Sequence, residues 1–175
     1  ITNSGRLPIT IIGTSNAKPI YYAETKGSAQ IKSSIMLAAL NTKGTTIIKA
    51  KKSRNHTELF FKYLKIPMKI TKRKSYDLIK INGKKKIKKL NYKIPADISS
   101  SAFFIVLTIL SKDSKLVIKN VNINPSRTGI IKILNLMNIK IKIKNIRNYK
   151  GEKIADLFVA SQKNIKPINC PQNLN

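Results

Sequence analysis

The sequence predicts an α/β protein built from a repeated β-α-β-α-β-β unit. Segments with helical spacing of apolar residues alternate with short β-branched runs, and this order occurs twice along the chain. Arg54 and Arg127 are 73 positions apart (127 − 54 = 73), as are Ile66 and Ile139, so the second helices and the strands after them share a register. At the first helices, Ser28 and Ser99 are 71 positions apart (99 − 28 = 71). A length of 175 residues suits one domain or two small ones and is enough to bury a hydrophobic core.

The first copy is recognised from its periodicity and its turn residues. Ile31, Ile35 and Ala38 fall on one face of a helix, and Ser28 is suited to cap its start. Gly44 ends that segment, and Asn82-Gly83 is a turn signal after the last strand. The predicted elements are strands at 19–25, 45–49, 66–70 and 76–81, with helices at 28–40 and from 53–56 to 64 or 65.

The second copy repeats this order, and Asp97 or Ser99 is expected to cap its first helix. On the flanks, 8–12 resembles the last strand of a preceding unit and 165–168 the first strand of a following one. The predicted elements are strands at 90–94, 115–119, 139–143 and 154–160, with helices at 99–110 and from 126–129 to 137.

The net charge of +28 admits two interpretations. A field this positive attracts phosphates, which favours a nucleic-acid partner. However, only five of the 35 basic residues are Arg, there is no Trp, and the lysines are spread along the chain. The densest cluster, KKKIKK at 84–89, lies in a predicted connector between the copies. Solvated lysines and small anionic substrates are therefore the preferred interpretation, and no nucleic acid is expected.

Several classes of protein are excluded by counts of single residue types. One cysteine, Cys170, cannot form an internal disulfide, and one histidine, His56, is too few for most zinc sites, so no metal is expected. The apolar run at 102–110 is too short to span a bilayer. The chain shows no nucleophilic triad, no Walker motif and no dinucleotide-binding glycine motif. Because it begins at Ile1 without a visible leader, we expect a processed start or a piece of a longer protein.

Two predicted helix starts are candidate anion sites. Ser28, Ala29 and Gln30 open the first helix, where free N–H groups and the helix dipole favour an anion. Ser53 and Arg54 precede the second helix. The alternatives remain open, because Ser28 is suited to plain capping and Arg54 to an ordinary surface charge. By the same reasoning His56 is suited to a partly buried polar position.

At these positions the sequence resembles the 5-enolpyruvylshikimate-3-phosphate synthase family, also called 3-phosphoshikimate 1-carboxyvinyltransferases. Six motifs carry the resemblance in the family's order, and SAQ-K-S, SR-HTE and NP-RTG together are specific. They are GRLPITI at 5–11, KGSAQIKSSIMLAALNTKGTT at 26–46, SRNHTE at 53–58, IPADISSSAFF at 94–104, NPSRTGII at 124–131 and GEKIADLFV at 151–159.

The resemblance implies the two-domain enolpyruvyl transferase fold, an inside-out, barrel-like α/β architecture with three β-α-β-α-β-β units in each domain. Only part of each domain is expected here. Residues 1–83 would end the N-terminal domain, 84–90 would form a basic interdomain crossing, and 91–175 would begin the C-terminal domain.

The reaction that the resemblance implies transfers the enolpyruvyl group of phosphoenolpyruvate to the 5-hydroxyl of shikimate 3-phosphate and releases phosphate. This is a step of the shikimate pathway, which leads to chorismate and the aromatic amino acids. The resemblance also implies no cofactor, no membrane, a cytoplasmic monomer and closure of the domains around two small anions.

Five residues match family contacts to shikimate 3-phosphate, and Gln30 is also expected to approach phosphoenolpyruvate. The five are Ser28, Ala29, Gln30, Ser53 and Arg54. No catalytic residue is expected in this chain, because the family's catalytic groups would precede Ile1 or follow Asn175, and the chain alone is expected to be inactive. The remaining motif residues are interpreted as helix caps and interdomain surface, namely Asp97, Ser99, Ser100, Asn124, Arg127 and Thr128.

The sequence departs from the family pattern at three places. Asn55 stands where Asp is more frequent, Ala96 where Gly is usual, and Lys26-Gly27 where small or apolar residues precede SAQ. Two rival functions remain, a basic nucleic-acid-binding protein and a non-catalytic scaffold that has kept the fold.

Overall fold

A computed structural model describes residues 9–83, 87 and 89–169. The chain divides into two compact units, one of Ile1–Lys52 and Ile66–Ile87, the other of Ser53–Lys65 and Lys88–Asn175. The helices are α1 (Ala29–Ala39), α2 (His56–Tyr63), α3 (Ile98–Leu110) and α4 (Gly129–Leu136). The strands are β1 (Tyr21–Glu24), β2 (Thr45–Lys51), β3 (Met68–Lys72), β4 (Tyr76–Asn82), β5 (Lys115–Asn122), β6 (Lys142–Tyr149) and β7 (Glu152–Ala160).

The first unit is a four-stranded mixed sheet covered by α1. The strand order is β1-β2-β4-β3, with β1 parallel to β2 and the other pairs antiparallel. Alternate residues of β2 and β4, including Ile48, Ile79 and Ile81, are fully buried, as is Met36 of α1. Alternation of buried and exposed positions is what a sheet with one covered face requires, so the strands bury one face against the helix.

The second unit repeats this topology. Its sheet has the order β5-β7-β6 with antiparallel pairs, and Ala96 forms an isolated parallel bridge to Val121 of β5. That bridge occupies the place of β1 in the first sheet. The core consists of the inward faces of α3, α4 and this sheet, and its buried members include Ile98, Ile105 and Leu157.

The predicted repeat is confirmed in its order of elements, except for the first strand of the second copy, and is corrected in one register. The second helices begin at His56 and Gly129, and 129 − 56 gives the predicted offset of 73. The first helices begin at Ala29 and Ile98, so their offset is 98 − 29 = 69 rather than the predicted 71. The difference arises because Asp97, and not Ser99, caps α3.

Three predicted strands are absent from the described residues. Residues 90–94 form no strand, because pairing on that side of β5 is limited to Ala96. Residues 9–12 and 165–168 also form none, while Pro8 lies outside the described residues. Four residues of the KKKIKK segment, 84–86 and 88, and Cys170 likewise lie outside the described residues.

Strand β6 begins three residues later than predicted and is longer. Ile139 is 2% exposed and packs in the core, because Asn138 (φ 64°) turns the chain after α4 and the Ile139 N–H donates to Leu134 O at 2.9 Å. The extra length of β5 and β6 comes from a bulge in each, where Asn120 (φ 56°) and Asn145 (φ 54°) adopt left-handed backbone. Sequence alternation alone does not reveal these bulges.

Candidate substrate-binding site

The start of α1 has the geometry of an anion-binding helix terminus. Ser28 has extended backbone (φ −84°, ψ 113°), and its Oγ accepts the N–H of Ile31 at 3.2 Å. Accepting that bond leaves the hydroxyl proton able to donate to a further acceptor. Ala29 and Gln30 occupy the first helical positions, and the positive end of the helix dipole there favours an anion. The cap predicted at Ser28 is therefore confirmed, and capping does not exhaust its hydrogen bonds.

A buried carboxylate fixes the turn before this helix. Glu24 is 3% exposed and accepts the backbone N–H groups of Lys26 (2.9 Å), Gly27 (2.9 Å) and Ser28 (3.1 Å). Gly27 has φ 73°, a conformation that L side chains rarely adopt. Lys26 and Gly27 thus form a turn that the Glu24 carboxylate holds in place. The sequence alone did not reveal this role of Glu24.

Ser53 and Arg54 lie in the loop between β2 and α2. The Ser53 Oγ is buried and has no hydrogen-bond partner among the described residues. Buried hydroxyls are paired in most proteins, so an orphaned one beside an arginine fits a place where a polar ligand completes the bonding. Arg54 is half-buried.

The start of α2 is tied to the second sheet by a polar network. His56 Nδ1 lies 2.5 Å from Glu152 Oε1, and Asn124 Nδ2 donates to Glu152 Oε2 at 3.2 Å and to Asn55 Oδ1 at 2.9 Å. Glu152 is 5% exposed and Asn124 is 3% exposed. Buried polar groups are costly unless they are hydrogen-bonded, and these four residues supply hydrogen-bond partners to one another.

In the second copy, the arginine is bonded to the start of α3. Arg127 donates to Asp97 Oδ1 at 2.7 Å and to Ser99 Oγ at 2.6 Å, while Asp97 also accepts the N–H groups of Ser99 and Ser100 at the start of α3. Burial pushes the pKa of Asp97 upward, but these bonds and the Arg127 charge outweigh it and hold the pKa below its usual value. Asp97 is therefore a helix cap, as the sequence indicated.

The structure places the five predicted site residues in two groups. Ser28, Ala29 and Gln30 lie together at the start of α1 in the first unit, and Ser53 and Arg54 lie together in the second unit. Sequence reasoning missed the network of Asn55, His56, Asn124 and Glu152. One sequence signal pointed to this network, because each of its residues lies in a family motif. The motifs are SRNHTE, NPSRTGII and GEKIADLFV.

The described residues offer neither a candidate metal site nor a candidate membrane-spanning helix. They contain no group of three or more His, Cys, Asp or Glu arranged to hold a metal ion. In the same part of the chain, every helix is too short or too polar to cross a membrane.

Comparisons with known proteins agree with the motif assignment. The family model of EPSP synthase (3-phosphoshikimate 1-carboxyvinyltransferase) matches residues 1–173. A 3-phosphoshikimate 1-carboxyvinyltransferase from Petrotoga mobilis is 42% identical over 155 residues, which is 88% of this chain and 35% of that protein. One from Thermoanaerobacter sp. is 43% identical over 159 residues, 89% of this chain and 36% of that protein.

Solved structures give the same result. An EPSP synthase from Acinetobacter baumannii superposes with a TM-score of 0.80 at 32% identity, covering 99% of this chain and 39% of that one. The chain thus spans 35% of the Petrotoga relative and 39% of the Acinetobacter structure. The two sheets with their helices and the likeness to this structure confirm the predicted α/β fold of the enolpyruvyl transferases. The chain belongs to the EPSP synthase family.

Proposed function

We propose that this chain supplies part of the shikimate-3-phosphate half of the active site of a 3-phosphoshikimate 1-carboxyvinyltransferase. The observation that carries the proposal is the family match over residues 1–173, which includes every motif that holds a candidate contact. The reaction belongs to the whole protein. The 5-hydroxyl of shikimate 3-phosphate adds to the activated double bond of phosphoenolpyruvate, and the tetrahedral intermediate then eliminates phosphate.

The start of α1 is proposed to bind the phosphate of shikimate 3-phosphate. The Ser28 hydroxyl has a proton to donate, and the N–H groups at the positions of Ala29 and Gln30 point out of the helix end. The turn held by Glu24 fixes these donors before the ligand arrives, which lowers the entropic cost of binding. The Gln30 amide, exposed on the first turn, is proposed to approach phosphoenolpyruvate as well.

Ser53 and Arg54 are proposed to complete the contacts to shikimate 3-phosphate. A guanidinium forms charge-assisted bonds to phosphate or carboxylate, and the orphaned Ser53 Oγ gains a partner when the substrate is bound. No residue of this chain is proposed to carry out the proton transfers.

The organisation that follows from this function is also a proposal. Residues 1–83 are proposed to end the N-terminal domain, 84–90 to cross between domains, and 91–175 to begin the C-terminal domain. The whole protein is proposed to be a cytoplasmic monomer that needs neither metal nor organic cofactor.

The test is an assay of the full-length protein that carries this chain. Incubation with shikimate 3-phosphate and phosphoenolpyruvate is expected to release phosphate and form 5-enolpyruvylshikimate 3-phosphate in equal amounts. Phosphate release without the enolpyruvyl product, or no reaction of a folded protein, contradicts the proposal. Retention on DNA at physiological salt with a steep salt dependence would favour the nucleic-acid alternative instead.

A further inference from the structure

The side chain of Asn124 has all of its hydrogen-bonding capacity in use. Its Oδ1 accepts the N–H of Ser126 at 2.9 Å and the hydroxyl of Ser126 at 2.8 Å. Its Nδ2 carries two protons, and these go to Asn55 Oδ1 and Glu152 Oε2. Turning the amide over would set its NH₂ group against the Ser126 N–H, so the orientation is fixed by its neighbours. A saturated, 3% exposed amide is a rigid connector.

Glu152 supplies the charged centre of the same network. One carboxylate oxygen contacts His56 Nδ1 and the other accepts from Asn124, so both oxygens are engaged. With Glu152 only 5% exposed, water competes little for these bonds. The first residue of α2 and the residue before it are thus both held by side chains of the second unit.

The turn that precedes Glu152 makes a further close contact with α2. Gly151 has φ 95°, and a Cβ at its position would lie 2.8 Å from Leu59 O and 3.2 Å from Tyr63 Cβ of α2. Only glycine allows the turn and the helix to approach this closely. Gly151 and Glu152 are neighbours in one motif, and both hold α2 in place. We call the contacts of Asn124, Gly151 and Glu152 with Asn55 and α2 the seat of α2.

The seat matters because it lies directly beside the proposed substrate contacts. Ser53 and Arg54 immediately precede Asn55 and His56 in the chain. A long arginine side chain places its guanidinium accurately only if its backbone is fixed, and a side chain that must be ordered on binding lowers the affinity. Asn124 and Glu152 can therefore influence substrate binding without touching the substrate.

We propose that Asn124 and Glu152 are positioning residues for shikimate 3-phosphate, acting through Asn55 and His56 to hold Ser53 and Arg54 in their binding geometry. This inference rests on the proposed function. It extends that function to two residues that are remote in sequence and are not themselves substrate contacts.

The first arm of the test needs no substrate. The N–H of Leu59 donates to Asn55 O at 3.1 Å, so its hydrogen exchange reports whether the first turn of α2 is held. In the full-length protein, Glu152→Leu removes both oxygens that His56 and Asn124 contact and is expected to speed exchange at Leu59 about tenfold. Unchanged exchange at Leu59 in the folded variant overturns the proposal.

The second arm measures KM for shikimate 3-phosphate and kcat in the full-length protein. Glu152→Leu and Asn55→Leu are expected to raise KM about tenfold, with kcat within about twofold, because binding geometry and not chemistry is disturbed. Asn55→Asp keeps the acceptor for Asn124 and is expected to recover most of the affinity. An unchanged KM in both disruptive variants overturns the proposal.

The control for general destabilisation is Asn145→Ala. It removes the bond from Asn145 Nδ2 to Asp156 and places alanine at φ 54°, so it weakens the second unit without touching α2. Its KM is expected to match that of the unsubstituted protein. A raised KM in this control would assign the effect to stability and overturn the positioning role. If the unsubstituted protein binds no substrate, the proposed function fails. Exchange at Leu59 would still show whether Glu152 holds the first turn of α2.

Discussion

His56 Nδ1 and Glu152 Oε1 lie 2.5 Å apart, which joins the first residue of α2 to the first residue of β7 across 96 positions of sequence. The bond secures a helix of only eight residues, which has little stability of its own. It also gives His56 and Glu152 a shared structural role, holding the start of α2, which their spacing in the sequence does not suggest.

Replacing His56 should therefore loosen α2 and lower the stability of the second unit. His56→Ala leaves one oxygen of a buried carboxylate without its partner, and a bond to a charged group contributes about 1.5–3 kcal/mol. We expect urea unfolding to show a loss of about 2 kcal/mol for His56→Ala and a smaller loss for His56→Gln, which keeps a donor. Equal stability of all three proteins would show that the pair contributes nothing.

Asp97 should stabilise α3 as its N-cap. Its carboxylate accepts the N–H groups of Ser99 and Ser100, and removing a cap of this kind costs about 1 kcal/mol. We expect Asp97→Ala to lower the free energy of unfolding by about that amount and Asp97→Asn to retain most of it. The measurement is chemical denaturation near neutral pH, and an unaffected Asp97→Ala protein would refute the cap.

Acid should remove part of the stability through two aspartates. The pKa of Asp97 and that of Asp156 lie below their usual values, the latter chiefly because Asn145 Nδ2 and then the Asn120 N–H donate to it. A lowered pKa in the folded state stabilises fully above the unfolded value of about 4 and loses that effect as the pH falls through the folded pKa.

The comparison is between the unsubstituted chain and a variant with Asp97→Asn and Asp156→Asn together. Their Tm values should differ by a constant amount from pH 7 to about pH 5 and converge below about pH 4. A difference that persists unchanged in acid would show that charge is not the cause.

Gly151 should tolerate no side chain. Gly151→Ala combines a φ of 95° with a Cβ 2.8 Å from Leu59 O, and we expect a loss of at least about 2 kcal/mol by denaturation. Gly13→Ala is the matched control, since a Cβ there meets nothing within 4 Å and should change stability by less than about 0.5 kcal/mol. Similar losses in both variants would contradict the close approach of the turn to α2.

Local signals predicted most of the fold. Ser28 and Asp97 mark true helix starts, and the order of strands and helices in the first copy is confirmed in full. The errors occur where tertiary structure decides, since β5 and β6 contain bulges at Asn120 and Asn145 that depend on Asp156 across the sheet. The strand expected at 90–94 is reduced to the bridge at Ala96, although apolar and polar residues alternate over 90–94 as they do in a strand.

The candidate site was predictable only in part. Ser28 and Arg54 could be named as candidates because a helix start and a rare arginine are each visible in one local stretch. Glu24 was missed because a carboxylate folding back onto its own chain has no distinctive spacing. Glu152 was missed because its partners, His56 and Asn124, lie 96 and 28 positions away. Pairing over such separations is set by the packing of the sheet and not by local pattern.

The central claim is that Arg54 binds shikimate 3-phosphate, and it is tested most directly by calorimetric titration of the full-length protein. Arg54→Ala is expected to weaken Kd at least about tenfold, because a charge-assisted bond is lost. Arg127→Ala, at the matching place of the second copy, removes an arginine bonded to Asp97 and Ser99 and should leave Kd unchanged. An unchanged Kd for Arg54→Ala, or an equal loss in both variants, would contradict the claim.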